Sequence, residues 1–409
     1  MNPMVAAGWG VLITAVLLPQ VALFVPLGVA PLGVMAALAS LPLVLRTRAW
    51  RHFPAPLLWL PLALAAWALV SCTWALDPRE AFLGTIRQVL STIVGMIVFG
   101  AALELDDGWR RKVGWALLGS LLLAGAFLSY EAVTDKGLTF AVRGLRGEPP
   151  KAARSMFGRG ASIFTLAACA GLVLSFWLRK RWLGIVLVLA GLTLVVGDSF
   201  STRVAVLLAI ALGSLAWWRP GKARALLAVA VVAATILGPV AAKMIPDPHY
   251  TFQHWRWVPM SSHHRLTIWQ FTAQRIFEKP VLGWGMEASR SIPGADDEIR
   301  VWRYGPDGER TGPSLLEPQL PLHPHNAILQ LWLELGAMGG LLFAAFMICL
   351  FRTTTSLSDG LARAASTGGA AAGLVVASVS FGFWQSWWQA ALWLCASFVA
   401  LAVREDRPA

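Results

Sequence analysis

The sequence has few charged residues for its length. Asp, Glu, Lys and Arg make up only 14% of its 409 residues, whereas 57% are hydrophobic and the mean hydropathy is +0.62. This balance excludes an ordinary soluble domain and is typical of an integral membrane protein. The four cysteines, Cys72, Cys169, Cys349 and Cys395, all lie in apolar stretches. They therefore resemble small hydrophobic residues, and we expect no disulfide or zinc framework.

Basic charge is present, but it is divided into short clusters. The net charge is +12, and the clusters lie between apolar runs. That distribution indicates membrane topology and contacts with membrane lipids, so we expect no nucleic-acid partner. Residues 1–9 contain no Lys or Arg and continue into an apolar run, so we also expect no cleavable signal peptide.

Apolar runs long enough to cross a bilayer recur along the chain. We predict an all-α integral membrane protein with about twelve transmembrane helices, since a helix needs ~20 apolar residues to span the hydrocarbon core. The predicted spans are residues 5–24, 26–45, 55–75, 85–104, 113–131, 160–178, 182–198, 203–218, 225–245, 325–351, 364–381 and 383–403. They define three regions: membrane spans in residues 1–245, a loop in residues 246–324, and further spans in residues 325–409.

The distribution of Lys and Arg predicts the orientation. By the positive-inside rule, the connections rich in these residues, and both termini, are cytoplasmic. The basic residues expected there are Arg46, Arg48, Arg51, Arg110, Arg111, Lys112, Arg179, Lys180, Arg181, Arg219, Lys222, Arg224, Arg352, Arg363, Arg404 and Arg407. Residues 132–159 and 246–324 then face outward. The first outer segment is itself basic, which the rule tolerates poorly; its cations are Lys136, Arg143, Arg146, Lys151, Arg154 and Arg159.

The larger outer segment has the pattern of one amphipathic helix. Ser261 and Ser262 are candidate N-caps, and Pro280 is expected to end the helix. The apolar residues expected on its buried face are Leu266, Trp269, Ala273, Ile276 and Phe277. Such a helix is expected to lie on the membrane surface or to roof a cavity between spans.

Residues 323–340 place titratable side chains at the mouth of the tenth span. Pro324 suits the first helical turn, so we expect His325 at the helix N-terminus. There the helix dipole lowers the imidazole pKa, keeps the ring neutral for general base catalysis and attracts phosphate. Gly336 is expected on the same face three turns later and, with Gly339, permits a neighbouring helix to approach. The alternative is a histidine that only contacts headgroups or water.

Two arginines are expected at outward-facing helix N-termini, where the dipole repels a cation and an anion should compensate. Ser199, Ser201 and Thr202 are candidate caps ahead of Arg203, and Arg265 begins the surface helix. Asp198 is a candidate partner for Arg203, and a snorkelling or solvated side chain is the alternative at both positions. Two guanidiniums beside a neutral imidazole suit a diphosphate leaving group and a hydroxyl nucleophile, the chemistry of glycosyl transfer from a lipid diphosphate.

The acidic residues argue against a bound metal. Metal-dependent transferases hold the cation with paired carboxylates, but the sequence has no Asp-x-Asp, and its Glu104/Asp106 pair is expected in the cytoplasm. The histidines at 263, 264, 323 and 325 lack the helical spacing of a zinc site. We therefore expect no metal and no cofactor.

Other polar residues lie within or near the last spans. Glu334 is a functional candidate because an ionisable residue at membrane depth is rare, unless the true span begins at Leu335 and leaves Glu334 at the interface. It should not contact the same substrate atom as His325, which lies about half a helical circumference away. The last span contains Trp384, Gln385, Trp387, Trp388 and Gln389, for which a lipid or glycan groove and simple packing are the alternatives.

These residues resemble the O-antigen ligase family. His325-Asn326, nine further residues and then Gly336-Ala337-Met338-Gly339 are similar to the family's pattern of His, then Asn, Ser or Gln, nine arbitrary residues and Gly-x-x-Gly. The run STRVAVLLAI resembles the family's arginine at the head of a span, which maps to Arg203. Residues 265–285, RLTIW to KPVLGWG, resemble its loop arginine and the following Pro-x-x-Gly-x-Gly. The layout of spans around one large outer loop is also similar.

The resemblance implies a glycosyltransferase of the type C-like fold in the bacterial inner membrane. It implies transfer of a glycan from undecaprenyl diphosphate to lipid A-core at the periplasmic face, by one displacement that inverts the anomeric carbon. His325 would deprotonate or orient the acceptor hydroxyl, and Arg203 and Arg265 would hold the diphosphate. The supporting residues we expect are His323, Asn326, Gly336 and Gly339.

Two other functions remain open at this point. An O-antigen or exopolysaccharide polymerase is the first alternative, because its loops and lipid-diphosphate donors are related. A polyprenyl-lipid transporter is the second. Alternating access would place the polar residues near the membrane midplane, whereas the candidate residues collect on one face.

Overall fold

The structure is a computed structural model that describes residues 2–145, 147, 150–196, 199–312 and 314–403. Within these ranges the helices are α1 (Pro3–Phe24), α2 (Val29–Thr47), α3 (Ala55–Ser71), α4 (Pro78–Glu104), α5 (Asp107–Val133), α6 (Gly137–Gly144), α7 (Pro150–Trp177), α8 (Arg181–Val196), α9 (Phe200–Trp218), α10 (Pro220–Lys243), α11 (Pro248–His254), α12 (Met260–Glu278), α13 (Ala327–Thr355), α14 (Gly360–Val379) and α15 (Ser386–Ala402). Of the residues named above, Arg146, Asp198, Arg404 and Arg407 lie outside the described residues.

Long apolar helices confirm a multi-pass membrane protein. Among the described residues, eight helices are long and apolar enough to cross a membrane, and three further apolar helices are shorter. Among the described residues each predicted span overlaps a helix, but α14 is not among these eleven apolar helices, so the count of about twelve spans stays a prediction. Several helices begin earlier than hydropathy indicated. Helix α4 begins at Pro78 because Asp77 accepts hydrogen bonds from the backbone N–H groups of Arg79 and Glu80. These caps lie in polar turns, which hydropathy does not detect.

Arginines bind the C-terminal ends of helices at one end of the bundle. The Arg110 Nε atom lies 2.6 Å from the Leu401 carbonyl oxygen of α15, and the Arg363 Nε atom lies 2.9 Å from the Ala216 carbonyl oxygen of α9. Helix C-termini present unpaired carbonyls and a negative dipole end, so cations are stabilised there. The opposite end of the bundle therefore carries the N-termini of α9 and α15.

The segment between α10 and α13 is built from helices and a hairpin. Strand β1 (Glu298–Val301) pairs antiparallel with β2 (Leu315–Pro318), which sequence periodicity did not predict. Helix α12 matches the predicted helix, but Pro259 is its N-cap, so Ser261 and Ser262 lie within its first turn.

The buried face of α12 is shifted from the predicted one. Ala273 and Ile276 are buried as expected, whereas Phe277 is 40% exposed and the face continues through Ile268 and Phe271. Because α12 packs against both α10 and α13, its neighbours decide which arc is buried. Helix α12 is thereby fixed against the head of α13.

Candidate functional site

His325 lies just outside α13, and the prediction that it occupies the first helical turn is wrong. Asn326 is the N-cap: its Oδ1 atom accepts from the Ile328 N–H at 3.0 Å and the Leu329 N–H at 3.1 Å. Asparagine is a strong N-cap, and here it outweighs the preference of Pro324 for the first turn. His325 consequently has a φ of +53°. Left-handed backbone costs a non-glycine residue on the order of 1–3 kcal/mol, so its contacts must hold it there.

Two hydrogen bonds hold His325. Its backbone N–H donates to the Nδ1 atom of His323 at 3.3 Å, and its own Nδ1 atom lies 2.6 Å from the carbonyl oxygen of Ser380. A carbonyl can only accept, so the Nδ1 atom of His325 carries the proton. In the neutral ring, the Nε2 atom therefore keeps its lone pair and can act as a base.

The surroundings keep His325 neutral. Burial lowers its pKa to about 4, the bond to Ser380 opposes that change, and the positive charges of Arg265, His264 and Arg159 lower the pKa further. Isolation from water disfavours the charged imidazolium, and nearby cations act in the same direction. The main cause of the low pKa is therefore burial, and not the helix dipole from which a neutral ring was predicted.

Arg265 lies close enough to His325 for its charge to lower the pKa of the imidazole. Burial lowers the pKa of its guanidinium, and among the described residues no carboxylate forms an ion pair with it. One helical turn later, the Trp269 indole N–H donates to the Pro324 carbonyl oxygen at 2.9 Å, which ties α12 to the backbone next to His325. A half-buried cation without an acidic partner is suited to bind an anionic ligand.

Arg203 lies in the first turn of α9, and of the three candidate caps it is Ser199 that occupies the N-cap position. This turn contacts α7: the hydroxyl oxygens of Thr202 and Ser162 are 3.2 Å apart. Ser162 follows Arg159 by three residues. Thr202, the residue before Arg203, thus contacts α7 about one turn from Arg159, and it is the charge of Arg159, not that of Arg203, that lowers the pKa of His325.

Arg159 is a site residue that sequence reasoning missed. Its guanidinium carbon lies 5.6 Å above the ring of Trp387, and its charge lowers the pKa of both His323 and His325. In the sequence, Arg159 is one of several basic residues in the segment 132–159. The available signal was the position itself, because a cation on the outer side of a membrane protein runs against the positive-inside rule.

The helix α13 is broken at Gly336, where φ is +63° and ψ is −158°. The break frees carbonyls that a continuous helix would use. The Trp284 N–H donates to Leu333 O at 2.8 Å, and the Gly285 N–H donates to Glu334 O at 2.9 Å. The prediction that His325 and Gly336 share one face of a straight helix is therefore wrong.

Residues 280–285 and the break in α13 fit together because both lack side chains at the contact. A Cβ atom on Gly336 would collide with the carbonyl oxygen of Val281, and one on Gly283 would lie 2.6 Å from that of Glu334. Gly339 also lacks room, since its Cβ would meet Leu335. Gly336 therefore permits the close approach of a turn and not of a helix, whereas the atoms nearest to Gly339 belong to its own helix.

Glu334 is completely buried and does not lie at an exposed interface. Its carboxylate accepts hydrogen bonds from the Ser289 hydroxyl, the Glu287 N–H at 2.9 Å, the Trp384 indole at 2.7 Å and the Gln330 amide at 3.1 Å. These donors come from the outer loop, from α13 and from the turn before α15. Glu334 therefore fixes three segments around the histidines.

The network continues outward through Glu287. Its carboxylate accepts from the Arg290 Nε atom at 2.6 Å and from Arg87 of α4 at 3.2 Å. The positive charge of Arg290 in turn lowers the pKa of His323. Glu334 thus acts on the site through Glu287 and Arg290.

His323 packs against the turn between α14 and α15. Burial lowers its pKa to about 3, with further contributions from the charges of His325, Arg290 and Arg159. A Cβ atom on Gly382 would lie 2.7 Å from the His323 ring, and the Gln385 amide contacts its Nε2 atom.

The polar residues predicted for the last span are hydrogen-bonded or packed. Gln389 donates to Gln88 and to the Phe383 carbonyl oxygen, whereas Trp388 is fully buried. Trp384 bonds Glu334 and Trp387 contacts Arg159. Packing therefore accounts for the three tryptophans better than an open groove, whereas Gln389 also lines a cavity between the helices.

A large cavity lies elsewhere in the bundle. It has a volume of about 1080 Å³, lies between α3, α4, α13, α14 and α15, and extends from Gln88 and Gln389 towards His52 and Arg352. Neither His325 nor the candidate arginines 159, 203 and 265 line it. This cavity therefore does not mark the candidate site, and no group of three or more His, Cys, Asp or Glu side chains among the described residues could hold a metal.

Comparisons with known proteins bear on the same residues. Residues 185–344 match a protein family described as O-antigen ligase. The chain is 27% identical over 361 residues to a Rickettsia conorii protein named "Putative polysaccharide ligase", covering 85% of this chain and 82% of the relative. It is 27% identical over 356 residues to a Rickettsia felis protein of the same name, covering 84% and 80%. A third such protein, from Rickettsia typhi, is 34% identical over 182 residues, 44% of this chain and 42% of the relative.

Proposed function

The chain belongs to the O-antigen ligase family, and on that premise we propose that it transfers a glycan from undecaprenyl diphosphate to lipid A-core oligosaccharide. The observation that carries the proposal is the environment of His325. Its Nδ1 atom is bonded to Ser380, and cations from α7 and α12 lie close enough to lower its pKa. An unprotonated imidazole nitrogen can accept the proton of a sugar hydroxyl, and the guanidiniums around it can bind the departing diphosphate.

In the proposed reaction, the acceptor hydroxyl oxygen attacks the anomeric carbon of the donor while the bond from that carbon to the diphosphate oxygen breaks. The Nε2 atom of His325 accepts the hydroxyl proton. Arg265, Arg203 and Arg159 compensate the charge that develops on undecaprenyl diphosphate as it leaves. One displacement inverts the anomeric carbon, and the imidazolium then returns its proton to water.

The low pKa of His325 is compatible with this role. Burial lowers that pKa most, and the charges of Arg265 and Arg159 lower it further. A bound diphosphate would neutralise both guanidiniums and so raise the pKa of His325 towards its ordinary value. Donor binding would thereby activate the base when the substrate is in place.

We place this chemistry at the periplasmic face of the inner membrane, on a glycosyltransferase type C-like scaffold. Support comes from the positions of the basic residues. Arg110 and Arg363 lie at the end of the bundle opposite the N-termini of α9 and α15, and the positive-inside rule assigns such clusters to the cytoplasm.

The test is transfer by the purified protein in proteoliposomes with a labelled undecaprenyl diphosphate glycan. Lipid A-core and a second lipid-linked glycan are offered as competing acceptors. Label on lipid A-core supports ligation, whereas extension of the lipid-linked glycan shows a polymerase, and movement of intact donor without transfer shows a transporter. Transfer that survives EDTA supports arginines in place of a metal; loss that Mg²⁺ or Mn²⁺ restores contradicts it.

A further inference from the structure

Gln385 and His323 meet through atoms whose roles can be deduced. The Gln385 Nε2 atom lies 3.1 Å from the Nε2 atom of His323, and the Gln385 Oε1 atom is buried with no hydrogen-bond partner among the described residues. On the other side of the same ring, the His323 Nδ1 atom faces the backbone N–H of His325. The ring therefore has one contact at each nitrogen.

In only one of these two contacts are the donor and the acceptor fixed. The backbone N–H of His325 is always a donor, so the His323 Nδ1 atom must carry a lone pair. A neutral His323 then bears its proton on Nε2, which needs an acceptor. The oxygen and nitrogen atoms of a glutamine side chain are told apart by their hydrogen-bond partners. Rotating the Gln385 amide by 180° exchanges the two atoms, so that the unpaired Oε1 atom accepts the proton on the His323 Nε2 atom.

We propose that Gln385 and His323 form a positioning relay for the base His325, an inference that rests on the proposed function of His325. The Gln385 amide oxygen accepts from the His323 Nε2–H, and the His323 Nδ1 atom accepts from the His325 N–H. This second bond holds His325 in its left-handed conformation, which points the imidazole at the Ser380 carbonyl and leaves its Nε2 atom bare.

The turn between α14 and α15 gives the relay a rigid base. Ser380 and Gln385 both belong to this turn, so one segment fixes the two histidine rings. Gly382 lies against the His323 ring at a distance that excludes a larger residue. The Phe383 N–H also donates to the Gln330 side chain of α13 at 2.8 Å, which holds the turn against the head of that helix.

The charges around the relay favour its neutral form. Arg290 from the outer loop and Arg159 from α7 face His323, and Arg265 and His264 from α12 face His325. All four are basic side chains, so each disfavours protonation of the ring that it faces. A protonated His323 would carry a hydrogen on Nδ1 and could no longer accept from His325.

The Gln385→Glu variant tests the relay. A carboxylate beside His323 stabilises its imidazolium, so the pKa of His323 should rise by roughly 1–3 units from about 3. It then exceeds the pKa of His325, about 4, and the acid limb of kcat/KM moves up by as much as about 2 pH units. Adding His323→Asn, which keeps an acceptor for the His325 N–H but does not titrate, should abolish that shift. Gln253→Glu is the matched control, because its amide bonds Tyr304 on the outer surface and contacts no histidine of the site. An unmoved limb in Gln385→Glu, or a shift that persists in the double variant, overturns the relay.

Nitrogen NMR of protein labelled with ¹⁵N-histidine tests the same claim without catalysis. The His323 signal, identified by its loss in His323→Asn, should report a protonated Nε2 and an unprotonated Nδ1 at pH 7. The opposite tautomer overturns the relay. Because this measurement needs no transfer activity, it separates failure of the relay from failure of the proposed function.

Discussion

The backbone N–H of Gly285 donates to the carbonyl oxygen of Glu334 at 2.9 Å. This bond joins the turn after α12 to the break in α13, so the two glycine-containing motifs of the sequence are parts of one backbone clamp. Helix α12 carries Arg265, and the head of α13 follows directly from His325. The clamp therefore sets the distance between Arg265, the proposed phosphate-binding cation, and His325, the proposed base.

The clamp predicts a steric penalty at Gly336. We expect Gly336→Ala to lower the stability by at least about 1–3 kcal/mol, since alanine is strained at a φ of +63° and its Cβ would strike Val281. Thermal unfolding in detergent measures the effect. Gly119→Ala is the control, because a Cβ on Gly119 meets nothing within 4 Å and alanine favours the helix. Equal melting temperatures for the two variants would contradict the clamp.

Removal of the base should abolish turnover and leave the fold intact. We expect His325→Ala to reduce kcat by about 10²–10⁴-fold, the usual contribution of a general base. Transfer in proteoliposomes measures the loss, and an unchanged melting temperature excludes unfolding. His249→Ala, on the exposed surface of α11, should keep full activity. Near-normal turnover in His325→Ala would require a different base.

Charge alone should not replace the guanidiniums. We expect Lys at Arg203, Arg265 or Arg159 to retain only part of the activity, because an ammonium cannot form a bidentate pair with phosphate. Steady-state kinetics with the diphosphate donor measure the loss. Arg275→Lys is the matched control on α12, since Arg275 pairs with Glu278 at 2.9 Å. Full activity in Arg159→Lys would remove that residue from the diphosphate site.

We expect Glu334 to support stability and activity by accepting hydrogen bonds that hold the neighbouring segments in place. The Glu334→Gln variant replaces one acceptor oxygen by an NH₂ group that faces existing donors, so we expect a loss of about 1–3 kcal/mol for each buried donor left unpaired. The melting temperature and the rate of glycan transfer should both decrease. The exposed Glu309→Gln variant should change neither. An unchanged melting temperature in Glu334→Gln would show that the carboxylate is not required as an acceptor.

The buried histidines should make stability depend on pH. The pKa of His325 is lowered from 6.5 to about 4 and that of His323 to about 3, so between those values the unfolded chain binds more protons than the folded protein. Stability from these groups is therefore complete above pH 6.5 and is lost as the pH falls towards 4 and 3. Melting temperatures between pH 8 and 4 should show the fall, with a shallower slope in His325→Ala. The same slope in both proteins would contradict the low pKa of His325.

The amino-acid sequence by itself determined that this is a membrane protein with its polar chemistry at helix ends. Apolar run length, the glycine motifs, and the positions of His325, Arg203 and Arg265 are local features, so spacing and hydropathy reveal them. Tertiary structure alone decided what these residues touch. The Ser380 carbonyl that fixes the His325 tautomer lies 55 positions further on, and Gln385 is 62 positions from His323. Such contacts depend on how distant helices pack, and helical periodicity carries no information about a partner on another element.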